Sequence, residues 1–308
     1  MQSNRKAIAC IGECMVELSP AQEGLFKLGF AGDTYTTAVY LKRQFGDAVD
    51  VSYITALGVD PQSKAMVSAF EQEGIDTSHV RLFEDKAPGL YLIENDETGE
   101  RYFQYWRSTA AARFLYQDRS ISDIAQQLEG FDLVYVSGIS LAVLDAAQRT
   151  NLIEALKANQ ADVAFDPNFR AALWPDLDEC RQAFQDVAGV SKIVFVTPED
   201  DCALWGEALL DDVCQRWSGF GAEEVVVKDG ANGCLVVTDL ERDHINAPEK
   251  LSPVDTTGAG DSFSSGYLGA RLQGGSIRQA AEMAHRVAAQ VIMHPGGIIP
   301  QNVWQKVS

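Results

Sequence analysis

Along this chain of 308 residues, short runs of β-branched and aliphatic residues alternate with longer stretches whose apolar positions recur every three to four residues. The short runs predict strands at 7–11, 51–55, 133–137, 163–166, 193–197, 224–228 and 234–238. The longer stretches predict helices at 33–45, 62–73, 142–158, 177–190, 209–218, 260–272 and 277–293. Strand and helix taking turns in this way is the mark of βαβ units wound around a mainly parallel sheet, an α/β fold.

Two segments break the rhythm. Residues 12–30 alternate apolar positions with glycine and carry no helical period. Residues 80–107 read as three consecutive strands, broken at Ala87-Pro88-Gly89 and turning at Asn95-Asp96-Glu97-Thr98-Gly99. Consecutive strands inside an α/β fold predict a small antiparallel flap beside the main sheet. Such a flap either closes over substrate or merely extends an edge.

Composition narrows the partners. The chain is 46% hydrophobic, enough for one large core or two modest ones. Acidic residues outnumber basic ones 44 to 25, giving a formal net charge of −19. Binding to nucleic acid requires clustered Lys and Arg, and that class is excluded. An anionic substrate would need a local cationic pocket working against the overall field. No apolar run approaches the ~20 residues of a membrane span, and the run 7–11 is too short for a signal segment, with Glu13 interrupting it. The six cysteines lack CxxC spacing and the four histidines lie far apart, so neither a disulfide framework nor a zinc site is expected. The expectation is a cytoplasmic protein with reduced thiols, and an apolar flap edge predicts a homo-oligomer, a dimer or larger.

One segment carries the chemistry: Asp255-Thr256-Thr257-Gly258-Ala259-Gly260-Asp261, directly before a strong helical pattern. Gly-Ala-Gly opening a helix leaves successive backbone N–H groups uncovered at the positive end of the helix dipole, a ready site for phosphate oxygens. Asp261, in the first turn, stands where a carboxylate can take a proton from an attacking hydroxyl. The blander reading makes Asp261 a helix-dipole acid and the glycines turn formers.

This stretch, followed by Ser262 and Phe263, resembles the C-terminal signature of the ribokinase-like (PfkB) sugar kinases. The resemblance runs over essentially the whole sequence. Gly12-Glu13 follows the first strand, and Phe30-Ala31-Gly32-Asp33 opens a helix. Midway along, Asp166-Pro167-Asn168-Phe169-Arg170 resembles the family's Asp-x-Asn-x-Arg element, and Lys228-Asp229-Gly230-Ala231-Asn232-Gly233 its Lys-x-Gly-x-x-Gly turn. The likeness implies a single kinase domain over 1–308, a three-layer sandwich with a small β-lid formed by about 12–30 and 80–107, and ATP with Mg²⁺ as cosubstrate. Asp261 would be the base, and Gly258, Ala259 and Gly260 the anion hole. Lys228, Gly230, Gly233 and Thr257 would border the nucleotide. Asp255 and Thr257 fall where relatives often place a monovalent cation such as K⁺. Where relatives often carry Asn-x-x-Glu near the magnesium, this sequence has Thr197-Pro198-Glu199-Asp200. Asp200 could reach Mg²⁺ through water, Glu199 is the adjacent candidate, and a plain helix start (Thr cap, proline, acid) fits as well.

Longer stretches resemble one subgroup, the kinases of 2-keto-3-deoxygluconate: Gly12-Glu13-Cys14-Met15-Val16-Glu17-Leu18, Pro88-Gly89-Leu90-Tyr91, Thr98-Gly99-Glu100-Arg101, Tyr105-Trp106-Arg107, Ser137-Gly138-Ile139-Ser140 and Leu204-Trp205-Gly206. A sugar acid calls for a guanidinium fork on its carboxylate. The resemblance places Arg107 and Arg170 in the sugar pocket, with Tyr91 and Tyr105 as wall and donors. Gly32 and Asp33 would meet sugar hydroxyls, and Asn168 would add a polar contact. Tyr91 and Tyr105 could equally be the packed face of a flap strand, and Arg107 could pair with a surface carboxylate. A kinase of fructose, ribose or another ketose is the alternative, and a non-catalytic sensor on the same fold a lesser one.

Overall fold

The computed structural model describes residues 5–22, 24–95, 101–248 and 251–307. In sequence order its strands are β1 (Lys6–Ile11), β2 (Met15–Gln22), β3 (Leu25–Ala31), β4 (Val49–Ile54), β5 (Ala56–Gly58), β6 (Arg81–Phe83) and β7 (Leu90–Asn95). They continue with β8 (Arg101–Trp106), β9 (Leu133–Ser137), β10 (Asp162–Asp166), β11 (Ile193–Val196), β12 (Glu224–Lys228), β13 (Cys234–Thr238) and β14 (Arg242–Ile245).

Eight of them form the central sheet in the order β14-β13-β12-β11-β10-β9-β1-β4. From β4 to β12 all neighbours are parallel, and β13 and β14 add an antiparallel edge. Alternate residues of each strand feed two separate cores. Val225 and Val227 of β12 join one, with Val194, Val196, Phe165 and Ile11. Val226 joins the other, with Phe195, Ala164, Ile8 and Cys10. A sheet buried on both faces explains the nearly unbroken apolar runs in its strands. The first core is closed by helices Ala146–Ala158, Leu177–Ala188 and Leu210–Phe220, the second by Asp33–Phe45, Ala259–Leu272 and Ile277–Val291. The result is the expected three-layer α/β sandwich. Strand β1 lies between β4 and β9, so the sheet grows in opposite directions from it. That reversal opens a crevice at the carboxyl ends of the strands.

The lid is a second sheet of order β3-β2-β7-β8. Two features of the lid differ from the sequence expectation. The first of the three strands read in 80–107 does not join the lid: β6 pairs in parallel with β5, a strand not foreseen. Its place is taken by β2 and β3 from 12–30, and β2 runs parallel to β7, so the flap is not wholly antiparallel. The turn read at 95–99 and the motif at 98–101 fall partly on residues 96–100, outside the described residues. The helix expected at 142–158 is two, Gly138–Val143 and Ala146–Ala158. Asp145 breaks it by capping the second, its carboxylate accepting from the Gln148 amide at 2.8 Å. Strand β14 and helix Ile121–Gln127 were also not foreseen. No helix among the described residues is long and apolar enough to cross a membrane.

Candidate active site

A cavity of about 440 Å³ opens at the carboxyl ends of β10, β11 and β12, beneath the lid. Its floor is the helix start that the glycine pattern predicts. Gly258 adopts φ 74°, a left-handed conformation that a side chain would strain. A Cβ there would stand 2.8 Å from Gly297 Cα, so the loop is wedged against the turn at 296–297. No side chain caps the helix. Ala259 N–H donates to Thr256 and Ser262 N–H to Gly258. The amides of Gly260 and Asp261 are left without a backbone acceptor among the described residues. Uncovered amides at a helix N-terminus attract phosphate oxygens.

Asp261 follows in the first turn and keeps part of its surface open to the cavity. The protein around it pushes its carboxyl well above the usual range. Burial contributes most, then the carboxylates of Asp33 and Asp166, with Lys228 and Arg170 opposing them. Thr37 Oγ1 donates to the Asp261 carbonyl at 3.2 Å and ties this turn to the helix Asp33–Phe45.

The cation beside the loop is Lys228, at the end of β12. Its ammonium lies close enough to Gly260 that a Cβ there would sit 3.3 Å from Nζ. Lys228 Nζ also donates to Asp166 Oδ2 at 2.6 Å, a buried pair at the ends of two strands, and Ser264 Oγ donates to the same oxygen at 3.3 Å. Sequence reasoning assigns Asp166 no role. A buried carboxylate directly after the apolar run Val163–Phe165 is the signal that marks it.

The sugar-side residues converge. Asn168, at φ 35°, donates from Nδ2 to Asp33 Oδ2 at 2.9 Å. Arg170 sits 3.7 Å from Asp200 Oδ1, and Asp200 Oδ2 accepts the Phe169 amide at 3.2 Å. Asp200 is pushed up chiefly by burial, with Arg170 pulling it back. Thr197 caps the helix Pro198–Trp205, so the helix-start reading of that segment holds while Thr197 and Asp200 line the cavity as well. Tyr91 and Tyr105 line it from the lid with ring centroids 5.7 Å apart. Tyr91 donates its hydroxyl to Glu17, and Tyr105 stays half exposed. Gly32, Asp33, Thr257 and the loop 258–261 complete the wall.

Four predicted site residues stand apart from the cavity wall. Arg107 is ion-paired with Glu13, whose side chain is only 1% exposed. The surface-carboxylate alternative is therefore corrected to a buried one. Glu13 follows β1 and Arg107 follows β8, so the pair joins the central sheet to the lid. Gly89 packs into it, with room for no side chain: a Cβ would lie 2.7 Å from Glu13 Oε1. Gly230 and Gly233 shape the turn between β12 and β13, at φ 51° and 102°. Asp255 braces the loop instead of facing it. Its carboxylate accepts from Thr257 N at 3.0 Å, Thr257 Oγ1 at 2.7 Å and Gly296 N at 2.8 Å. Among the described residues no three His, Cys, Asp or Glu side chains cluster as a ready metal cage.

A proton acceptor beside uncovered helix amides and a lysine, under a β-lid, is an arrangement for moving a phosphoryl group to a hydroxyl. Known proteins share its sequence. The chain is 48% identical over 303 residues to a 2-dehydro-3-deoxygluconokinase of Dickeya dadantii, covering 96% of this chain and 97% of the relative. It is 45% identical over 304 residues to the 2-dehydro-3-deoxygluconokinase of Escherichia coli K12, with 96% and 98% covered. In structure it superposes with a TM-score of 0.81 on an aminoimidazole riboside kinase from Salmonella enterica, at 24% identity and 95% coverage of both proteins. With residues 5–304 matching the description "pfkB family carbohydrate kinase", the chain belongs to that family.

Proposed function

We propose that this enzyme transfers the γ-phosphoryl group of ATP to the terminal hydroxyl, O6, of 2-keto-3-deoxygluconate, giving 2-keto-3-deoxy-6-phosphogluconate and ADP. The observation that carries the chemistry is Asp261 at an uncapped helix start, with its carboxyl held above the usual range. A raised carboxylate is a stronger base once ionised, and the adjacent amides and Lys228 favour its ionised form. The sugar acid is supported by the near full-length identity to two 2-dehydro-3-deoxygluconokinases.

In this reading Asp261 takes the O6 proton while the amides of Gly258, Gly260 and Asp261, with Lys228, hold the phosphoryl oxygens, the Ala259 amide being already given to Thr256. Gly32, Asp33 and Asn168 meet sugar hydroxyls. Arg170 lines the cavity and is the guanidinium open to the sugar carboxylate, while Arg107, paired with Glu13 apart from the wall, would have to leave that pair to reach it. Tyr91 and Tyr105 close the apolar side when the lid comes down, and Gly230 and Gly233 flank the nucleotide. Asp200, partly open and facing the cavity, suits water-mediated contact with Mg²⁺, which when bound neutralises charge between the phosphates. Asp255 accepts three hydrogen bonds, from Thr257 and Gly296, and these contacts by themselves add no support for K⁺ beside it. The whole protein acts as one kinase unit, in a cytoplasmic setting that suits its six free thiols. The exposed lid aromatics Phe103 and Trp106 favour a homo-oligomer.

The test is an ADP-release assay over a small panel of sugars and sugar acids. The sugar acid should show the highest kcat/KM. Faster turnover of fructose or ribose would replace it as the substrate, and ADP release with none of them would overturn the kinase reading.

A further inference from the structure

A second cavity, of about 150 Å³, lies outside the site just described. Its wall holds Ser78, His79, Arg81, Tyr116, Arg119 and Gln127, with no carboxylate among the lining residues. In a protein with 44 acidic and 25 basic residues, two guanidiniums line one small space, with Asp118 and Asp123 close behind its wall. Arg81 uses one nitrogen, Nη1, on the carbonyls of Leu115 at 3.0 Å and Gln117 at 2.7 Å. Neither Arg81 nor Arg119 has a salt bridge among the described residues. Burial and then the neighbouring Arg119 draw Arg81 below its ordinary value, with Asp118 opposing them, as expected of two like charges held together without a salt-bridged counterion.

We propose that this cavity binds a small dianionic oxyanion, inorganic phosphate or the head of a phosphate monoester. Arg81 and Arg119 would supply charge, and Ser78 and Gln127 neutral hydrogen bonds. Its position gives it a connection to the lid. Arg81 stands on β6, which leads into the lid at β7, while Tyr116 and Arg119 belong to the segment that leaves the lid after β8. The two connections are already joined by the Ala111 amide donating to Ala87 O at 2.9 Å. An anion held between Arg81 and Arg119 fastens them a second time.

The test is calorimetric titration of inorganic phosphate at constant ionic strength into the enzyme saturated with Mg²⁺ and a non-hydrolysable ATP analogue, which fills the glycine loop. The wild type should bind phosphate. Arg119→Gln, an exposed change that leaves the fold and basal turnover intact, should weaken binding about tenfold, as loss of one charge-assisted contact does. Gln127→Ala should weaken it by a smaller factor, and Arg278→Gln, elsewhere on the surface, should leave it unchanged. Equal affinity in wild type and Arg119→Gln, or no saturable binding to the wild type, would overturn the proposal.

Discussion

The central sheet and the lid are built from strands of similar length but opposite surroundings. In β9, β11 and β12 every residue is buried, and alternate side chains enter two different cores. In the lid, Leu25, Phe26 and Leu28 of β3 and Phe103, Tyr105 and Trp106 of β8 are all about half exposed. Burial on both faces fixes the carboxyl ends of the central strands, and those ends carry Asp166 and Lys228. A sheet with one open face contributes less to folding and is freer to move. In the proposed reaction the first sheet would hold the reacting groups still, and the second would bring an apolar wall to the sugar. The buried Glu13–Arg107 pair is their clasp.

That division of labour can be broken at several points. The largest effect should come from Asp261→Asn, which should lower kcat by about 10³-fold, the range of a lost general base, with sugar binding retained. Near-normal kcat would remove Asp261 from the proton transfer. Next, Phe195→Ala in β11, fully buried with its ring 5.5 Å from Tyr267, should cost about 3–5 kcal/mol in denaturant unfolding. Phe103→Ala in the lid should cost well under about 1 kcal/mol yet raise KM for the sugar. If the two costs were alike, the lid would be part of the core.

Arg107→Ala should cost about 3 kcal/mol, because it strands Glu13 without a partner, and should raise the sugar-acid KM more than the ATP KM. Glu13→Gln with Arg107→Ala should recover stability but not KM. Recovery of both would make Arg107 a clasp and nothing more. The smallest effect is on stability at the base itself. The folded-state pKa of Asp261 lies above its unfolded value, so its ionisation destabilises the fold as pH rises through the folded value. Asp261→Asn should therefore raise Tm at pH 8 by about 2–4 °C per kcal/mol relieved. The gain should fade as pH drops into the range where Asp261 is protonated in the wild type. A gain independent of pH would place the cause elsewhere.

Local chemistry was the legible part. Gly32 and Gly46 bound the helix Asp33–Phe45 where the sequence places it, and β9, β12 and β13 match their predicted limits. The glycine loop is legible because its conformation depends on neighbours in sequence. What escaped depends on partners far away in sequence. Nothing in Val16–Leu18 announces that it will run parallel to Leu90–Leu92. Nor does Arg107 announce a partner 94 residues earlier, or Asp166 one 62 residues later. The broken helix at Asp145 escaped for another reason: the apolar pattern from Leu141 to Leu144 hides a capping residue that was there to be read.

The wedge of Gly258 against Gly297 makes the residues after the last helix silent partners in turnover. Tyr40 donates to Gly297 O and accepts from the Ile299 amide, both at 2.9 Å, while Asp255 anchors Gly296. A polypeptide shortened after Val291 would keep every strand and every ionisable group of the cavity. It would lose the backstop that sets how the phosphate cradle is aimed, an enzyme whole in its parts and slack at its trigger.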